Sequence, residues 1–336
     1  MERILKFTLT LLCGFYATAQ VVGTPYIIPV DNRPILDQVG INPSFAFSTR
    51  KLRQLYTGPA VRIRRATDNA QADVAFDNTS IVSDNSTVTV AVAGGGLSVG
   101  NTLTLASFRS GSTLFVSTWY DQGANGYHGV QANTARQAVF SLNVIGPTNQ
   151  YASLVFTGTA KHNVTVNQTL PVLLGSGLRG SVMMIGTVQN STITNNSFGH
   201  SDISDNNIRW STHMNWPDNN MYTDLGSSTD LNRSFFNDGT IGLGKNKQYT
   251  MIRATSSKIV RVSGIDRNNS TQNITSRTWS AGSTFGVGLT TGSLDTAFNQ
   301  NGFTGNIPEF ILFSEPLTAA QYGLIENNQI LFWGAY

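Results

Sequence analysis

The sequence predicts an all-β fold, a sandwich or a barrel, from three observations. Short segments alternate in polarity or run apolar at residues 61–65, 86–93, 102–108, 113–120, 138–143, 154–156 and 181–188. Glycine, asparagine and aspartate separate them, as in Asp84-Asn85 and Ala93-Gly94-Gly95-Gly96. Apolar residues at helical spacing stand out only near residues 43–57 and again from Leu317 to Asn327. Many short strands with turns between them close into a sandwich or barrel, whereas an α/β enzyme alternates strands with long helices.

Taken in order, the chain opens as a secretory precursor. Arg3 and Lys6 form a basic start, residues 7–15 are apolar or neutral, and Ala17-Thr18-Ala19 is a small-x-small cleavage site before Gln20. The apolar run is too short to span a bilayer. Residues 1–19 are expected to be removed as a signal peptide on bacterial export, leaving the protein secreted or at the cell surface, with no membrane insertion of the mature chain. Cys13, the single cysteine, follows Leu11-Leu12 without the small residue that lipid attachment requires, so it leaves with the signal. The mature chain, starting at Gln20, is expected to hold no disulfide and no thiol.

Roughly 317 residues then remain, enough for one large sandwich. Charged residues make up 12% and hydrophobic ones 40%, the balance of a folded chain and not of a disordered one. The formal net charge of +3 is too small to suggest a nucleic-acid partner. Residues 20–42 mix five prolines and glycines with apolar residues and read as an extended leader. Pro43-Ser44 can open a helix with Phe45, Leu52, Leu55 and Tyr56 on one face and Arg50, Lys51 and Arg53 outward, stopped by Gly58-Pro59. Val61 and Ile63 then alternate with Arg62, Arg64 and Arg65, the pattern of a strand with one wet face. Residues 43–336 are expected to form one domain.

Trp119-Tyr120-Asp121-Gln122-Gly123-Ala124-Asn125-Gly126 reads as a strand ending in an Asx-type loop, with Asn125-Gly126 as the tight reversal. Upstream lie Phe47-Ser48-Thr49-Arg50-Lys51-Leu52-Arg53 and residues 56–65. In this order and spacing the three segments resemble the amino-terminal part of the α-L-arabinofuranosidase B type catalytic module, a glycoside hydrolase domain. Residues 249–253, 258–264, 285–288 and 303–313, followed by a helix opened at Leu317-Thr318, resemble the closing strands of concanavalin A-like or laminin-G-like jelly rolls. The resemblance implies a concanavalin A-like jelly-roll β-sandwich with a short early helix and a short C-terminal helix. It also implies a role in L-arabinose metabolism.

Hydrolysis of a glycoside needs two carboxyl groups, one to protonate the leaving oxygen and one to attack or to activate water. Beyond Glu2 the chain has only three glutamates, Glu309, Glu315 and Glu326, so aspartates would have to supply most of the pair. The densest local set is residues 213–226, where Trp216 can stack on a sugar ring and Asp218, Asn219 and Asp224 can bind hydroxyls. The same stretch also reads as a turn between two strands. The resemblance puts Asp218, in Pro217-Asp218-Asn219-Asn220-Met221-Tyr222, at the family's nucleophile. It puts Asp295, the acid closest to Val287-Gly288-Leu289-Thr290, at the proton donor. The active-site cysteine pair of that family has no counterpart here. Asp121 is a further candidate for substrate binding, with loop capping as its other reading. His128, His162, His200 and His213 lack metal-ligand spacing, although His200 with Asp202 and Asp205 would suit a cation loop. No metal and no cofactor is expected.

Two functions follow. One is a secreted hydrolase releasing terminal α-L-arabinofuranosyl groups from polysaccharide. The other is a non-catalytic glycan-binding or adhesion module of laminin-G-like type without the acid pair. Both take a polysaccharide or glycan as partner.

Overall fold

The computed structural model describes residues 31–175, 179–189, 196–214, 216–228, 233–237, 243–269, 283–296 and 301–336. The expected signal peptide, Cys13 and most of the expected leader lie outside the described residues. Arg33–Tyr336 makes one compact unit. It is a concanavalin A-like β-sandwich whose central strands, Gly180–Val188 and Gly305–Phe313, pair antiparallel with each other. Asn246–Arg253 and Lys258–Val262 extend this layer on one side, and Phe45–Ser48 and Tyr151–Phe156 flank it on the other. The facing layer runs from Leu114–Trp119 through Gly129–Val130, Val164–Val166, Phe285–Val287 and Asn196–Ser201 to Arg209–His213, Asn220–Leu225 and Arg233–Asn237.

Aromatic side chains fill the space between the layers. Phe45 and Phe310 meet Phe285, Phe310 also meets Phe198, and Phe47 stacks on Trp119. The outer face of the central strands is covered too. There Ala46, Met183, Ile252, Ile311 and Phe313 pack with Ile35, Leu36, Leu52 and Ile325. Because both faces are covered, every residue of Gly180–Val188 and Gly305–Phe313 is buried, which explains why these strands run apolar instead of alternating.

Strands fall where residues 61–65, 113–120, 181–188 and 303–313 predicted them. The helix expected from Pro43-Ser44 is a correction. Phe45–Ser48 is a strand with all four residues buried, while Leu55, counted on the helical face, is 90% exposed. With apolar layers on both sides, an extended segment buries Phe45 and Phe47 inward and Ala46 outward, which a surface helix cannot do. The early helix is Ile35–Gln38, inside the segment read as an extended leader. Residues 102–108 divide into a strand Thr102–Thr104 and a helix Leu105–Arg109, whose first turn is capped by Thr104 Oγ1 accepting from the Ser107 N–H. The arginine face of Val61–Arg65 is less wet than expected. Arg64 and Arg65 are buried, Arg64 donating to Gln137 and Asn69 and Arg65 to Asp68 and the Phe108 carbonyl. Arg62 remains half-exposed and pairs with Asp73.

The C-terminal helix, Ala319–Trp333, runs beyond Asn327 to a left-handed C-cap at Gly334. Thr318 and Gln321 form a capping box at its start. Thr318→Ala is expected to cost about 1 kcal/mol in urea unfolding. A loss below a few tenths would mean that packing, and not the cap, sets this terminus. Among the described residues no helix is long and apolar enough to cross a membrane.

Candidate functional site

The strands Arg209–His213, Asn220–Leu225 and Arg233–Asn237 pair with Ser211 opposite Asp224, His213 opposite Tyr222, Asp224 opposite Arg233 and Tyr222 opposite Phe235. Side chains alternate across a strand and partners share a face. Arg209, His213, Tyr222, Asp224, Arg233 and Phe235 therefore share the face away from the core, while Trp210, Met221 and Leu225 join the core.

Asp224 is the anchor of that face. It is fully buried and accepts from Arg209 Nε at 2.8 Å and from Arg233 Nε and Nη2 at 2.8 and 3.0 Å. His213 Nε2 lies 3.7 Å away, too far for a hydrogen bond. Burial alone would push the Asp224 carboxyl up, but the two arginines more than offset it and hold the group ionised, well below the usual carboxylate range. Burial keeps the His213 imidazole neutral, lowering its pKa against the pull of Asp224. Burial also lowers Lys258 to about 8 and Arg253 to about 10, with Asp224 drawing Lys258 part of the way back. Gly226, at φ 127°, faces the Arg253 guanidinium where a Cβ would collide, so this turn needs glycine.

A cavity of about 90 Å³ opens above the anchor, lined by His213, Trp216, Tyr222 and Arg233. Trp216 meets the His213 ring edge-on at 4.7 Å and lies 6.1 Å from Tyr222, while the Arg233 guanidinium sits 4.7 Å over the Tyr222 ring. Both ring nitrogens of the buried His213 lack a hydrogen-bond partner among the described residues. The walls therefore offer the Trp216 ring, a guanidinium lying over the Tyr222 ring, and an imidazole.

Of the residues singled out from sequence, the structure brings Trp216, Asp218 and Asp224 around this cavity. Asp218 reaches it through Tyr222, whose hydroxyl donates to the carboxylate at 2.6 Å. Asp218 is exposed and also accepts from the Asn220 backbone and side chain, so its contacts are those of a hairpin-turn residue. The slight burial raises its pKa, but the Tyr222 and Asn220 donors outweigh it and lower the group overall. Asn219 is the exposed left-handed residue of that turn, at φ 64°.

Asp121 makes its contacts elsewhere. Buried, it accepts from the backbone N–H groups of Ala46 and Gly123, both at 2.7 Å, and of Tyr127 at 3.0 Å. Gln122 beside it accepts from Leu52 N–H and donates to the Ser48 and Arg50 carbonyls, and Asn125 donates to those of Pro43 and Ser44. The Trp119–Gly126 segment thus clamps residues 43–52 onto the sandwich. Burial raises the Asp121 pKa against these three backbone donors. Asp295 is held by Arg136 at 2.9 Å and by Lys161 at 3.1 Å, and its contacts tie it to residues 136 and 161 instead of to the Trp216 hairpin. His200 bonds Thr291 at 3.0 Å, and Asp202 accepts from Ser204. Among the described residues no group of three or more His, Cys, Asp or Glu gathers as a metal site requires.

Sequence alone marks His213 and Tyr222 only as members of residues 213–226 and does not single out Arg209 and Arg233 as their partners. The available signal was alternation at i and i+2, in Arg209-x-Ser211-x-His213 and Tyr222-x-Asp224, which marks a polar strand face.

No protein-family model matches this chain, and no curated protein matches it. Among solved structures, an arabinofuranosidase complexed with arabinofuranosyl-α-1,2-xylobiose superposes with a TM-score of 0.60 at 12% identity, covering 88% of this chain and 63% of that one. A GH54 α-L-arabinofuranosidase soaked with a cyclic sulfate inhibitor gives 0.58 at 13% identity over the same shares. The chain spans less than two thirds of the length of these proteins. At such identity the likeness establishes the fold.

Proposed function

We propose that this chain is an exported, carbohydrate-directed β-sandwich that seats one edge of a sugar unit beside Trp216 and Tyr222 and binds it without cleaving it. The carrying observation is the cavity lined by His213, Trp216, Tyr222 and Arg233. Aromatic faces stack on the C–H face of a sugar ring, while the guanidinium and imidazole reach its oxygens. The aspartates support binding over hydrolysis because each is engaged within the protein. Asp224 is spent on two arginines, Asp295 on Arg136 and Lys161, Asp121 on backbone N–H groups and Asp218 on its own hairpin. Export rests on the N-terminal signal pattern, and mass spectrometry of cell-free material should find a chain starting at Gln20.

Binding of arabinan and arabinoxylan oligosaccharides, followed by titration calorimetry, tests the site. Trp216→Ala should weaken affinity roughly tenfold or more, the usual effect of losing one anchoring aromatic. Unchanged affinity in that variant would remove the cavity from consideration.

The likeness to arabinofuranosidases over 88% of the chain favours a second reading, hydrolysis of terminal arabinofuranosyl groups with Asp218 as nucleophile and Asp295 as proton donor. Release of nitrophenol from 4-nitrophenyl α-L-arabinofuranoside by the purified protein, lost in Asp218→Asn, would establish it in place of the first.

A further inference from the structure

A second hollow, larger than the Trp216 cavity, lies where three strands of the other layer meet the end of the C-terminal helix. Its volume is about 310 Å³, at the lower end of small-molecule sites and enough for one or two sugar rings. The register explains its floor. Thr187 of Gly180–Val188 stands opposite both Asn246 of Asn246–Arg253 and Asn306 of Gly305–Phe313, next to an irregularity in the pairing between Ile185 and Thr187. Cross-strand partners share a face, so Asn246, Thr187 and Asn306 form one row across three strands.

Two members of the row are fixed. The Thr187 hydroxyl donates to Asn246 Oδ1 at 2.5 Å, and Asn246 Nδ2 donates to the Trp333 carbonyl at 3.1 Å. The third has an open bond to make. Asn306 is 6% exposed, lines the hollow, and has a buried Oδ1 with no hydrogen-bond partner among the described residues. A buried acceptor of this kind calls for an O–H or N–H donor. Exposed Asn149 and Gln189 stand on the walls, and Tyr336, 78% exposed, presents its ring at the rim. Among the described residues Lys245 is the one charged side chain of the lining, and no Asp or Glu side chain takes part.

This chemistry narrows the ligand. Among the described residues no acidic side chains gather there as a metal ion requires, and a single exposed lysine is a poor cradle for a phosphate or a nucleic-acid backbone. Several amides, a hydroxyl and an aromatic ring at a rim match the vicinal hydroxyls and C–H face of an uncharged sugar. We infer that this hollow is a second carbohydrate site, taking a neutral sugar unit through Asn306, Gln189 and Tyr336. It is formed by residues separate from those of the Trp216 cavity and does not depend on that site being used.

The test uses the full mature chain and saturation-transfer NMR with L-arabinose, D-xylose and D-galactose and their short oligosaccharides as probes. Gln189 and Tyr336 are exposed, so Gln189→Ala with Tyr336→Ala leaves the fold intact, which thermal melting checks. Trp216→Ala should keep a signal with at least one probe. Adding Gln189→Ala and Tyr336→Ala to it should lower that affinity tenfold or more. Asn306→Asp, which keeps the shape and adds a charge, should weaken the same probe. Loss of all binding in Trp216→Ala alone would overturn this inference and leave the Trp216 site standing. Binding untouched by Trp216→Ala but lost in the Gln189→Ala, Tyr336→Ala pair would do the reverse. Absence of binding by the wild-type chain to every probe would overturn both.

Discussion

Arg50→Met is expected to destabilise the protein by about 3–5 kcal/mol and to lower its melting temperature by roughly 10 °C. The cause is Glu309, on the outer face of the central strand Gly305–Phe313 and 0% exposed. Its carboxylate accepts from Arg50 Nε at 2.6 Å and Nη2 at 3.0 Å, from the Ser48 hydroxyl, from Gln329 Nε2 and from Trp333 Nε1. Burial would raise its pKa, but the Arg50 charge and these donors outweigh burial and hold it below the usual value. The group ties the N-terminal strand, the central strand and the C-terminal helix to one point. Removing Arg50 leaves a buried charge without its counter-ion, which costs far more than the pair itself contributes. Glu309→Gln keeps the shape, strands Arg50 instead, and should fall in the same range. Urea unfolding of both variants checks this, and a loss under 1 kcal/mol in each would show that solvent reaches the cluster.

Acid should weaken the protein before the carboxylates of Asp224 and Glu309 titrate. Burial lowers the pKa of all four histidines, and that of His200, 3% exposed, falls from 6.5 to about 4 despite the pull of Asp202. The unfolded chain takes up these protons near pH 6.5 while the folded chain resists them, so between those values the unfolded state binds more protons. Stability is therefore full above pH 6.5 and declines as the pH drops toward 4. His200 alone accounts for about 3 kcal/mol at the lower end. The lowered carboxylates of Asp224 and Glu309 add their own loss only below about pH 4. Melting curves from pH 7.5 to 4 should show the decline, and His200→Gln should flatten it. A wild-type curve level across this range would mean that the histidines are hydrated.

How far the sequence went depended on the range of the interaction. Val61–Arg65, Leu114–Trp119 and Gly305–Phe313 were legible because alternation, apolar runs and flanking turn residues are local properties, and so was the Thr318 cap. The Trp119–Gly126 segment was legible as a loop but not in its role. Its side chains bond backbone some 70–80 residues earlier, and no local pattern encodes that.

The candidate site divides along the same line. Trp216 and Asp224 could be picked out by residue type, and Asp218 and Asn219 by turn chemistry. That Asp224 lies between Arg209 and Arg233, and that His213 stands opposite Tyr222, follows from strand register alone, because the partners come from three separate strands. Phe45–Ser48 failed for a related reason. Phe45 reads as part of a helical face with Leu52, Leu55 and Tyr56, and only the presence of apolar layers on both sides, built in part by residues more than 100 positions away such as Phe285, Phe310 and Met183, makes the extended form the better burial. The sequence by itself determined an all-β chain with local turns, caps and edges. The tertiary structure decided which polar groups are charged, paired or turned into a cavity, because burial and charge compensation arise only when distant strands come together.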